Sequence, residues 1–371
     1  MPLSLRVIAV GGATSGAISA QSGWTRRDGL LAGLFNGETL LGLGEASPLP
    51  GFGADARSAG DSWATDTADG ARQELRALGH LGELPESAED VARLCDEFEL
   101  SSPSARFALE TALLDALGRR RGVALGQLLG TRISGPRSVL VGHLDDGDIL
   151  QRAERAVARG ARHLKFKATG RDPDVEASRL IEVRRACGSP LRLRLDLNGG
   201  LDVAAARDAL ACYQRAELEL VEEPTRGAAL LDLGECAVPW FVDESLLQAD
   251  LRGALIEKSA ASGVVLKPTL LGGVTRCLSL ATLAARGGKR CIVTHAFEGP
   301  VALAACAELA LALENDAAEA AGLDLHGALS AFPSARVPQL PDAAVGDALQ
   351  VDAAAVHGHG VTLGEELWTA S

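Results

Sequence analysis

The main repeating feature of this sequence is a short apolar run followed by an alanine-rich amphipathic segment, which recurs from Gly135 onward. The predicted strands are 138–144, 161–168, 190–198, 217–224, 239–245, 262–268, 289–296 and a weaker eighth at 320–327. Their starts are 22 to 31 residues apart, which leaves room for one helix and two short loops per unit. Seven or eight such units predict an α/β protein with a closed (β/α)8-type barrel, a modified TIM barrel. No GxGxxG follows any of these strands, which argues against a dinucleotide-binding sheet.

The residues before Gly135 follow a different pattern. Residues 1 to about 60 alternate short apolar and polar stretches broken by glycine, and the Asn36-Gly37 pair is a strong hairpin signal. Residues 86–130 carry apolar positions at helical spacing, with Ser102 or Ser104 available as a helix cap. We therefore predict three parts, which are an α+β capping domain over 1–134, a barrel domain over 135–327, and a C-terminal segment over 328–371 that returns to the capping domain.

Composition excludes several classes of function. The 371 residues are 47% hydrophobic and 23% charged, as expected for a folded chain of about two domains. A net charge of −13 offers no basic surface for nucleic acid or anionic lipid. The seven cysteines include no CxxC pair, so neither a disulfide framework nor a zinc knuckle is indicated. No apolar run resembles a signal peptide or a membrane span, and we expect a cytoplasmic protein without nucleic-acid or membrane partners.

Lysine is rare in this sequence, and its positions help to rank the candidate residues for acid–base chemistry. Only five of the 36 basic residues are lysine, namely Lys165, Lys167, Lys258, Lys267 and Lys289. Arginine can replace a surface lysine, but it cannot supply a titratable amine. Lys165, Lys167 and Lys267 lie in apolar runs, whereas Lys258 and Lys289 lie in polar surroundings typical of the surface.

The carboxyl ends of barrel strands form the active-site face, and Lys165 and Lys167 end the second predicted strand. Alternation along a strand directs both side chains to the same side, at a spacing of roughly 6 to 7 Å. Two ammonium groups in one cavity favour the neutral amine, which lowers a lysine pKa and makes a general base. The alternative interpretation is a solvated edge of the barrel.

Acidic residues end the next three strands. They are Asp196 with Asn198, the pair Glu222 and Glu223, and the pair Asp243 and Glu244. Because side chains alternate, only one acid of each adjacent pair is expected to face the barrel centre. Three converging carboxylates suit a hard divalent cation such as Mg²⁺, whereas a lone acid at a strand end is most often a helix cap or ion-pair partner.

Two further strand ends carry polar residues. Lys267 ends the sixth strand, across the barrel from the second, so that it can approach a substrate from the opposite face to Lys167. A buried structural lysine paired with an acid is the alternative. His295 and Glu298 follow the seventh strand, and a histidine there is as compatible with a structural hydrogen bond as with catalysis.

Several motifs, in order, resemble the enolase superfamily. They are GEASPLPGF, PSARFALETALLDAL, LKFKA, LDLNGG, VEEP, VDES and VLKPTLLGG, and they extend over nearly the whole chain. Within the muconate-lactonizing subgroup the chain is most similar to the o-succinylbenzoate synthase family, chiefly through PLPGF and KPTLLGG. The resemblance implies an Mg²⁺-dependent syn dehydration of 2-succinyl-6-hydroxy-2,4-cyclohexadiene-1-carboxylate, a small carboxylate, to o-succinylbenzoate in menaquinone biosynthesis.

The resemblance also assigns roles to residues. It implies that Lys167 is the base and acid, that Lys165 is its electrostatic neighbour, and that Lys267 is the cation on the other substrate face. The implied ligands of Mg²⁺, or of Mn²⁺ in its place, are Asp196, Glu222 and Asp243, with Asn198, Glu223 and Glu244 around them. The segment THAFEGP departs from the Ser-rich segment of relatives, which leaves the substrate contacts of His295 and Glu298 open.

Other functions fit part of the pattern. Two lysines on opposite faces also suit racemisation of an N-acylamino acid or epimerisation of a dipeptide. The cap loops at residues 12–24 and 50–56 and the seventh strand would distinguish these reactions. A non-catalytic assembly or binding protein would be expected to lack a ligand or a lysine, and none is missing. A Schiff-base aldolase would use a barrel lysine but leaves the three acids unexplained.

Overall fold

The structure is a computed structural model of the 371-residue chain. It describes residues 2–14, 25–50, 65–131, 134–188, 191–313, 318–340, 348–349, 356–364 and 366–369. Residues 15–24 and 51–56, which make up most of the two cap loops expected to distinguish substrates, lie outside the described residues.

The N-terminal part contains the expected small antiparallel sheet. Its strands β1 (Ser4–Ala13), β2 (Arg26–Asn36) and β3 (Thr39–Ala46) lie in this order. Asn36 pairs with Thr39, and Gly37 between them has a φ of 61°. Such a positive φ is readily adopted by glycine, and the predicted hairpin at Asn36-Gly37 is confirmed.

A helical layer covers this sheet. It consists of α1 (Ala68–Ala77), α2 (Ala88–Glu97), α3 (Pro103–Arg121) and the short α4 (Leu125–Leu129). Of the two serines predicted as caps, Ser102 caps α3, because its side chain accepts a hydrogen bond of 3.0 Å from the amide of Ala105. Proline follows at the first helical position, where its missing N–H costs nothing.

Glycines in β3 allow α3 to lie directly on the sheet. A Cβ atom built on Gly44 would lie 1.9 Å from the carbonyl oxygen of Ala108, and one on Gly42 would lie 2.3 Å from that of Ala112. Real Cβ atoms do not approach backbone this closely. The close packing of helix on sheet therefore requires glycine at both positions.

The second part of the chain is a parallel sheet that curls into a barrel. Its strands are β4 (Ser138–His143), β5 (His163–Lys167), β6 (Arg192–Asp196), β7 (Leu220–Glu222), β8 (Trp240–Val242), β9 (Gly263–Leu266) and β10 (Arg290–Val293). They lie side by side in chain order, and every neighbouring pair is parallel. Each observed strand lies inside the predicted range and ends before its predicted carboxyl end, where the polar residues turn into the following loop. All but β4 also begin one to three residues later than predicted.

Helices connect successive strands, as expected for repeated βαβ units. They are α5 (Ile149–Ala158), α6 (Pro173–Cys187), α7 (Val203–Tyr213), α8 (Ala229–Leu233), α9 (Ala249–Lys258), α10 (Pro268–Leu271), α11 (Val274–Arg286) and, after β10, α12 (Pro300–Ala312). No helix in the described ranges combines the length and apolar character needed to span a bilayer.

Residues 318–322 close the ring in place of a full eighth strand. Gly322 bridges Thr294 on one side, and Ala321 bridges Arg137 on the other, both in parallel. The amide of Gly322 donates to the carbonyl of Val293, and the amide of Ser138 donates to the carbonyl of Ala321, both at 2.8 Å. The predicted α/β fold, a (β/α)8-type barrel with an N-terminal α+β cap, is confirmed. In place of the eighth strand predicted at 320–327, the structure has three isolated bridges, made by Ala318, Ala321 and Gly322.

An apolar layer fills the barrel below its carboxyl end. It consists of the buried side chains Leu220, Phe241, Val265 and Ile292. The first three lie two positions before Glu222, Asp243 and Lys267, so that alternation directs both layers inward. The polar residues at the strand ends therefore lie against an apolar layer, whose low dielectric constant strengthens their electrostatic interactions.

The C-terminal residues contact the N-terminal part. The ring of Trp368 in α13 (Glu366–Thr369) packs edge to face on Phe35, with centroids 5.5 Å apart. A ring nitrogen of His359 lies 3.0 Å from the carbonyl oxygen of Leu43. The division of the chain at residues 134 and 327 stays a prediction.

Lys289 is not the surface residue that its polar neighbours suggest. It is buried, and its ammonium group donates to the carbonyls of Ser259 and Ala261 at 2.7 and 2.8 Å. These contacts fix the turn between α9 and β9. The expectation of a surface position was wrong because the sequence does not show that two carbonyls lie within its reach.

Candidate active site

Charged side chains from four strand ends, together with Asp324 after the closing residues, line one cavity at the carboxyl end of the barrel. The centre of a water-sized sphere can occupy about 70 Å³ of it, and the empty space is about 610 Å³ when the open solvent at its mouth is included. The lining includes Lys165, Lys167, Asp196, Asp243, Glu244, Lys267, Thr294, His295, Phe297 and Asp324. This is the face at which barrel enzymes carry their chemistry.

Three carboxylates converge at this cavity. Asp196 ends β6, Glu222 ends β7, and Asp243 directly follows β8. One oxygen atom of each lies within 4.8 Å of the others, and all three residues are at most 2% exposed. A donor set of three oxygen atoms suits a hard divalent cation, which completes its coordination with water or substrate oxygens. The acids predicted as ligands thus lie close enough to share one metal ion.

The three candidate lysines surround these carboxylates. The ammonium of Lys165 lies 3.0 Å from Oδ2 of Asp196 and also donates to Glu222. Lys167 lies 3.2 Å from the same Oδ2 and donates to Oδ1 of Asn198 at 2.8 Å. Lys165 and Lys167 therefore share one cavity, as the alternation along β5 predicts.

Lys267 approaches from the opposite side of the barrel. Its ammonium donates to Asp243 and lies 3.5 Å from Oε1 of Glu244. It follows β9, whereas Lys167 ends β5, and these strands are four positions apart in the sheet. The two lysines therefore lie on opposite sides of the carboxylates.

The expectation that the lysine pair has a lowered pKa is wrong for Lys165. Burial alone lowers the pKa of Lys165, but the carboxylates of Asp196, Glu222 and Asp243 outweigh it and raise this pKa above its ordinary value. The pKa of Lys267 is raised in the same way, because Asp243 and Glu244 outweigh burial. The sequence shows the neighbouring lysine, but it does not show that three acids lie close to the same ammonium group.

The pKa values of the acids are shifted by the same burial and neighbouring charges. Burial, followed by the nearby carboxylate of Glu244, raises the pKa of Asp243 to about 7. Burial also acts to raise the pKa of Asp196, but Lys165 and Lys167 reverse the effect and hold it below its ordinary value. The cluster is thus a tightly coupled set of opposite charges in which removing one member changes the others.

Asn198, Glu223 and Glu244 have different positions around the carboxylates. Asn198 joins Lys167 to Glu244, because its amide nitrogen donates to Oε1 of Glu244 at 3.2 Å. Glu223 turns away from the cavity and accepts from the amides of Asp243 and Ser245 at 2.6 and 3.0 Å. Glu223 therefore fixes the backbone that carries Asp243.

Glu244 corrects the expectation that only one acid of each adjacent pair faces the barrel centre. Both Asp243 and Glu244 line the cavity. Asp243 lies just beyond β8, and Glu244 begins the 3-10 helix Glu244–Leu247, so the alternation of a strand no longer applies there. For Glu222 and Glu223 the expectation agrees with the structure, since only Glu222 joins the carboxylate cluster.

His295 and Glu298, the candidates after the seventh barrel strand, lie in different environments. His295 lines the cavity. Glu298 lies behind it, fully buried, and accepts from the hydroxyl of Thr269 at 2.7 Å and the amide of Ala296 at 2.6 Å. Burial raises the pKa of the Glu298 carboxyl and lowers that of the His295 imidazole to about 3, with Lys165 and Lys267 adding to the second effect. His295 is therefore a neutral ring.

Backbone strain concentrates at this face. Among the described non-glycine residues, positive φ angles occur at Asn198 (46°), Glu223 (45°) and Phe297 (60°), and at two residues away from the cavity, Glu99 and Glu217. Residues held in sparsely populated conformations cluster at functional sites, because the surrounding structure must hold them in place.

Residues at the end of the eighth unit and in the cap also lie at or near the cavity, although the sequence did not predict them. Asp324 lines the cavity, and His326 packs against His295 with ring centroids 4.4 Å apart. Arg27 of β2 is buried and donates to the carbonyls of Phe297 and Pro48, at 3.0 and 2.6 Å. Asp324 and His326 lie at the polar end of the weaker eighth strand predicted at 320–327, and this position was the signal for them in the sequence.

Comparison with known families gives matches over most of the chain. Residues 148–367 match the family "Enolase C-terminal domain-like", and residues 36–130 match "Mandelate racemase / muconate lactonizing enzyme, N-terminal domain". The first match alone covers more than half of the chain.

Individual relatives have several activities. An L-Ala-D/L-Glu epimerase of Clostridium acetobutylicum is 28% identical over 71% of this chain and 75% of its own length. An o-succinylbenzoate synthase of Desulfotalea psychrophila is 31% identical over 59% of this chain and 63% of its own length. The solved structure of a dipeptide epimerase from Methylococcus capsulatus, complexed with Mg and the dipeptide L-Arg-D-Lys, has a TM-score of 0.81. It is 24% identical and covers 98% of this chain and 100% of that one. The two family matches show that this chain belongs to the enolase superfamily, in its muconate-lactonizing-like branch.

Proposed function

We propose that this chain removes a proton from the carbon next to a carboxylate, in an Mg²⁺-dependent reaction, and that its substrate is a small carboxylate. The observation that carries the proposal is the arrangement of two lysines on opposite sides of three buried carboxylates in one cavity. A metal site alone would not need lysines, and a structural ion-pair cluster would not need an open cavity.

Asp196, Glu222 and Asp243 would hold the metal ion, since they supply three oxygen ligands within reach of one another. Bound there, Mg²⁺ would neutralise the negative charge that develops on the substrate carboxylate when its neighbouring carbon loses a proton. Glu223 keeps Asp243 in place through the backbone amides of Asp243 and Ser245. Removing any of the three ligands leaves repelling acids in the cavity.

Lys167 would carry the proton. Its ammonium is held by Oδ1 of Asn198 and Oδ2 of Asp196, which fix Nζ at the edge of the carboxylate cluster. In its neutral form Nζ accepts the proton from carbon, and in its charged form it returns that proton to an oxygen or a carbon on the same face. Lys267 faces the substrate from the other side, where its charge stabilises the developing anion.

The finer proposal is o-succinylbenzoate synthase activity, a carbon–oxygen lyase reaction. Lys167 takes the proton from the ring carbon of 2-succinyl-6-hydroxy-2,4-cyclohexadiene-1-carboxylate and then gives it to the departing hydroxyl on the same face. The carbon–oxygen bond breaks, water leaves, and the ring becomes aromatic. The similarity to the synthase of Desulfotalea psychrophila supports this choice.

A second candidate is epimerisation of a dipeptide or racemisation of an N-acylamino acid. Lys267 favours it, because a second amine on the opposite face can return the proton with inverted configuration. The similarity to the L-Ala-D/L-Glu epimerase of Clostridium acetobutylicum supports the same candidate.

Substitution of Lys267 separates the two candidates. Dehydration needs one proton-transferring group, and Lys267→Arg keeps the opposing charge, so we expect measurable o-succinylbenzoate formation in this variant. Racemisation needs a second titratable amine, which arginine with a pKa above about 12 cannot provide. Assays of both reactions with the wild type and Lys267→Arg test this. Robust racemisation without dehydration by the wild type would reject the synthase and favour the second candidate.

Two further variants test the site itself. We expect Asp243→Asn to lose metal-dependent activity, and Lys167→Ala to fold and bind Mn²⁺ without turning over substrate. A fully active Lys167→Ala would refute the mechanism. Near wild-type activity of Asp243→Asn after chelation and dialysis would refute the metal assignment.

A further inference from the structure

Two residues of the capping helix α3, Arg106 and Glu110, contact the loop that follows Lys267. Both belong to the segment PSARFALETALLDAL, which the chemistry of the cavity leaves unexplained. Nη1 of Arg106 lies 3.0 Å from Oε1 of Glu110, and the two side chains are 1% and 0% exposed. Because α3 belongs to the cap and Lys267 follows β9 of the barrel, this buried ion pair lies between the two parts of the chain.

The ion pair holds the backbone just after α10 through both of its partners. Nη1 of Arg106 donates to the carbonyl of Gly272 at 2.6 Å. Oε2 of Glu110 accepts from the amides of Val274 and Thr275 at 2.5 and 3.3 Å, and Oε1 accepts from the hydroxyl of Thr275. Glu110 thereby satisfies amides at the start of α11 that have no partner within the helix.

The two glycines that end KPTLLGG bring the loop into direct contact with the ion pair. Gly272 and Gly273 have φ angles of 84° and 146°, which favour glycine. A Cβ atom built on Gly273 would lie 2.5 Å from Nη1 of Arg106 and 2.5 Å from Oε2 of Glu110. No side chain therefore fits between this backbone and the charged groups of α3.

Backbone hydrogen bonds connect this contact to Lys267. The carbonyl of Lys267 accepts from the amide of Leu271 at 2.9 Å. The carbonyl of Pro268 accepts from the amides of Gly272 and Gly273, both at 2.9 Å. The segment from the lysine to the glycines is thus one compact turn, and the ion pair holds its far end.

The two lysines on opposite sides of the carboxylates differ in what holds their backbone. Lys167 is the last residue of β5, and it pairs with His143 of β4 and with Asp196 of β6. Lys267 lies one residue beyond β9, whose pairing with β10 ends at Leu266. Strand pairing therefore fixes the position of Lys167, whereas the position of Lys267 depends on the turn that follows it.

Stability alone is a weak explanation for a buried ion pair at this place. Removing two charges from water costs much of what their attraction gains, and well-packed apolar residues often stabilise a core equally well. Charge-assisted hydrogen bonds to the loop provide a defined geometry in addition. A defined geometry is what a lysine at the edge of a cavity requires if its charge is to act on a substrate.

We propose that Arg106 and Glu110 are positioning residues for Lys267. They hold its ammonium group beside Asp243, on the side of the cavity opposite the proton-carrying lysine. This inference rests on the proposed function, in which the charge of Lys267 stabilises the developing anion. The capping domain then contributes to the rate of the chemical step, although both positioning residues lie outside the cavity lining.

Nuclear magnetic resonance can follow Lys267 without any substrate, because the chain contains only five lysines. Protein labelled with ¹³C at the lysine Cε atoms gives at most five sets of signals, and the set absent from Lys267→Ala belongs to Lys267. We expect Glu110→Gln to shift the Lys267 signal by more than its linewidth, in the metal-free and in the Mg²⁺-loaded protein. The signal of the exposed Lys258 should stay in place.

Glu308→Gln is the matched control. Glu308 is as deeply buried as Glu110, and its Oε2 accepts from the amide of Gly126 in α4 at 2.9 Å. It therefore also joins the barrel to the cap through a carboxylate at the start of a helix, but α4 contributes no residue to the cavity lining. This substitution should leave the Lys267 signal unchanged, which separates the loss of a buried acid from the loss of positioning.

A double-mutant cycle connects the position of Lys267 to catalysis. Turnover is compared among the Mg²⁺-loaded wild type, Glu110→Gln, Lys267→Ala and the double variant. We expect Glu110→Gln to lower kcat by at least about tenfold and to change KM by less than about threefold, because a misplaced group weakens the transition state more than substrate binding. In Lys267→Ala the same change should lower kcat by less than about twofold, because the group that Glu110 positions is absent.

Three results would overturn the positioning role. They are an unchanged Lys267 signal in a folded Glu110→Gln, a kcat of this variant within about twofold of the wild type, and an equal loss of kcat with and without the Lys267 side chain. The Lys267 signal alone decides if the turnover of Lys267→Ala is too slow to measure.

A second variant covers the case in which Glu110→Gln does not fold. Arg106→Met/Glu110→Met removes both charges together and leaves no unpaired charge in the interior, and the same changes in the Lys267 signal and in kcat are expected of it. Failure of the proposed function has a different signature. The Lys267 signal would then still shift in the Glu110 variants, while the wild type would turn over no carboxylate substrate.

Discussion

Replacing Lys165 by methionine should tighten the binding of a divalent metal ion at the carboxylate cluster. The ammonium of Lys165 lies 3.0 Å from Oδ2 of Asp196 and also donates to Glu222, so it contacts two of the three carboxylates that would bind a metal ion. A metal ion binds such oxygens at about 2.1 Å, so it would lie close to the positive charge of this ammonium group. Methionine keeps the apolar stem and removes the charge.

The size of the effect follows from Coulomb's law. A divalent ion and an ammonium about 5 Å apart repel each other by about 1.7 kcal/mol at the dielectric constant of water, and by about 7 kcal/mol at an effective value near 20. The smaller figure alone exceeds the roughly 1.4 kcal/mol that corresponds to a tenfold change. We therefore expect the Kd for Mn²⁺ to fall by at least about tenfold in Lys165→Met.

Titration of the purified proteins with Mn²⁺, followed by calorimetry or electron paramagnetic resonance, measures this Kd. Lys258→Met is the control, because Lys258 is exposed at the end of α9 and its loss should leave the Kd unchanged. Equal or weaker Mn²⁺ binding by a correctly folded Lys165→Met would show that the ammonium does not oppose the ion, and the reasoning from charge would be refuted.

Two predictions concern stability. Burial acts to raise the pKa of Glu219, but hydrogen bonds and charge from His163 and Arg194 hold it at about 2. This stabilisation is present above the ordinary glutamate pKa and is lost as the pH falls toward about 2. The free energies of unfolding of the wild type and Glu219→Gln, measured in urea, should therefore differ by about 1 kcal/mol less at pH 3.5 than at pH 5. A difference in the free energy of unfolding that does not change with pH would contradict this prediction. Gly44→Ala should lower the free energy of unfolding in urea by at least about 3 kcal/mol, because its Cβ would lie 1.9 Å from a backbone oxygen. Gly253→Ala is the control, because Gly253 lies in the middle of α9 with open space around it. This change should be neutral or stabilising by up to about 1 kcal/mol. A well-tolerated Gly44→Ala would show that α3 can move away from the sheet.

The order of strands and the positions of the three acids could be predicted from the sequence. Each barrel strand is a short apolar run with a fixed side-chain alternation, and parallel strands bring their carboxyl ends to one face. Asp196, Glu222 and Asp243 therefore converge although they are far apart in the chain. Lys267 lies opposite Lys167 for the same reason, since their strands are four positions apart in the sheet.

The sequence was less informative where a strand stops and where charges add up in three dimensions. Glu244 reaches the cavity because it begins a 3-10 helix, beyond the range of strand alternation. The pKa of Lys165 depends on acids contributed by three other strand ends, which the neighbouring lysine in the sequence does not reveal. His326 follows the closing residues 318–322, inside the range predicted for the weaker eighth strand, and its contact with His295 depends on the closure of the ring.

The central claim, metal-dependent proton removal next to a carboxylate by Lys167, is tested most directly by proton nuclear magnetic resonance in D₂O. The cyclohexadiene substrate and a set of N-succinylamino acids and dipeptides are incubated with the Mg²⁺-loaded wild type, with the chelated wild type and with Mg²⁺-loaded Lys167→Ala. We predict that the signal of the proton next to the carboxylate disappears for at least one compound with the loaded wild type, and persists in the other two samples. Persistence of every such signal with the loaded wild type, or undiminished loss with Lys167→Ala, would contradict the account.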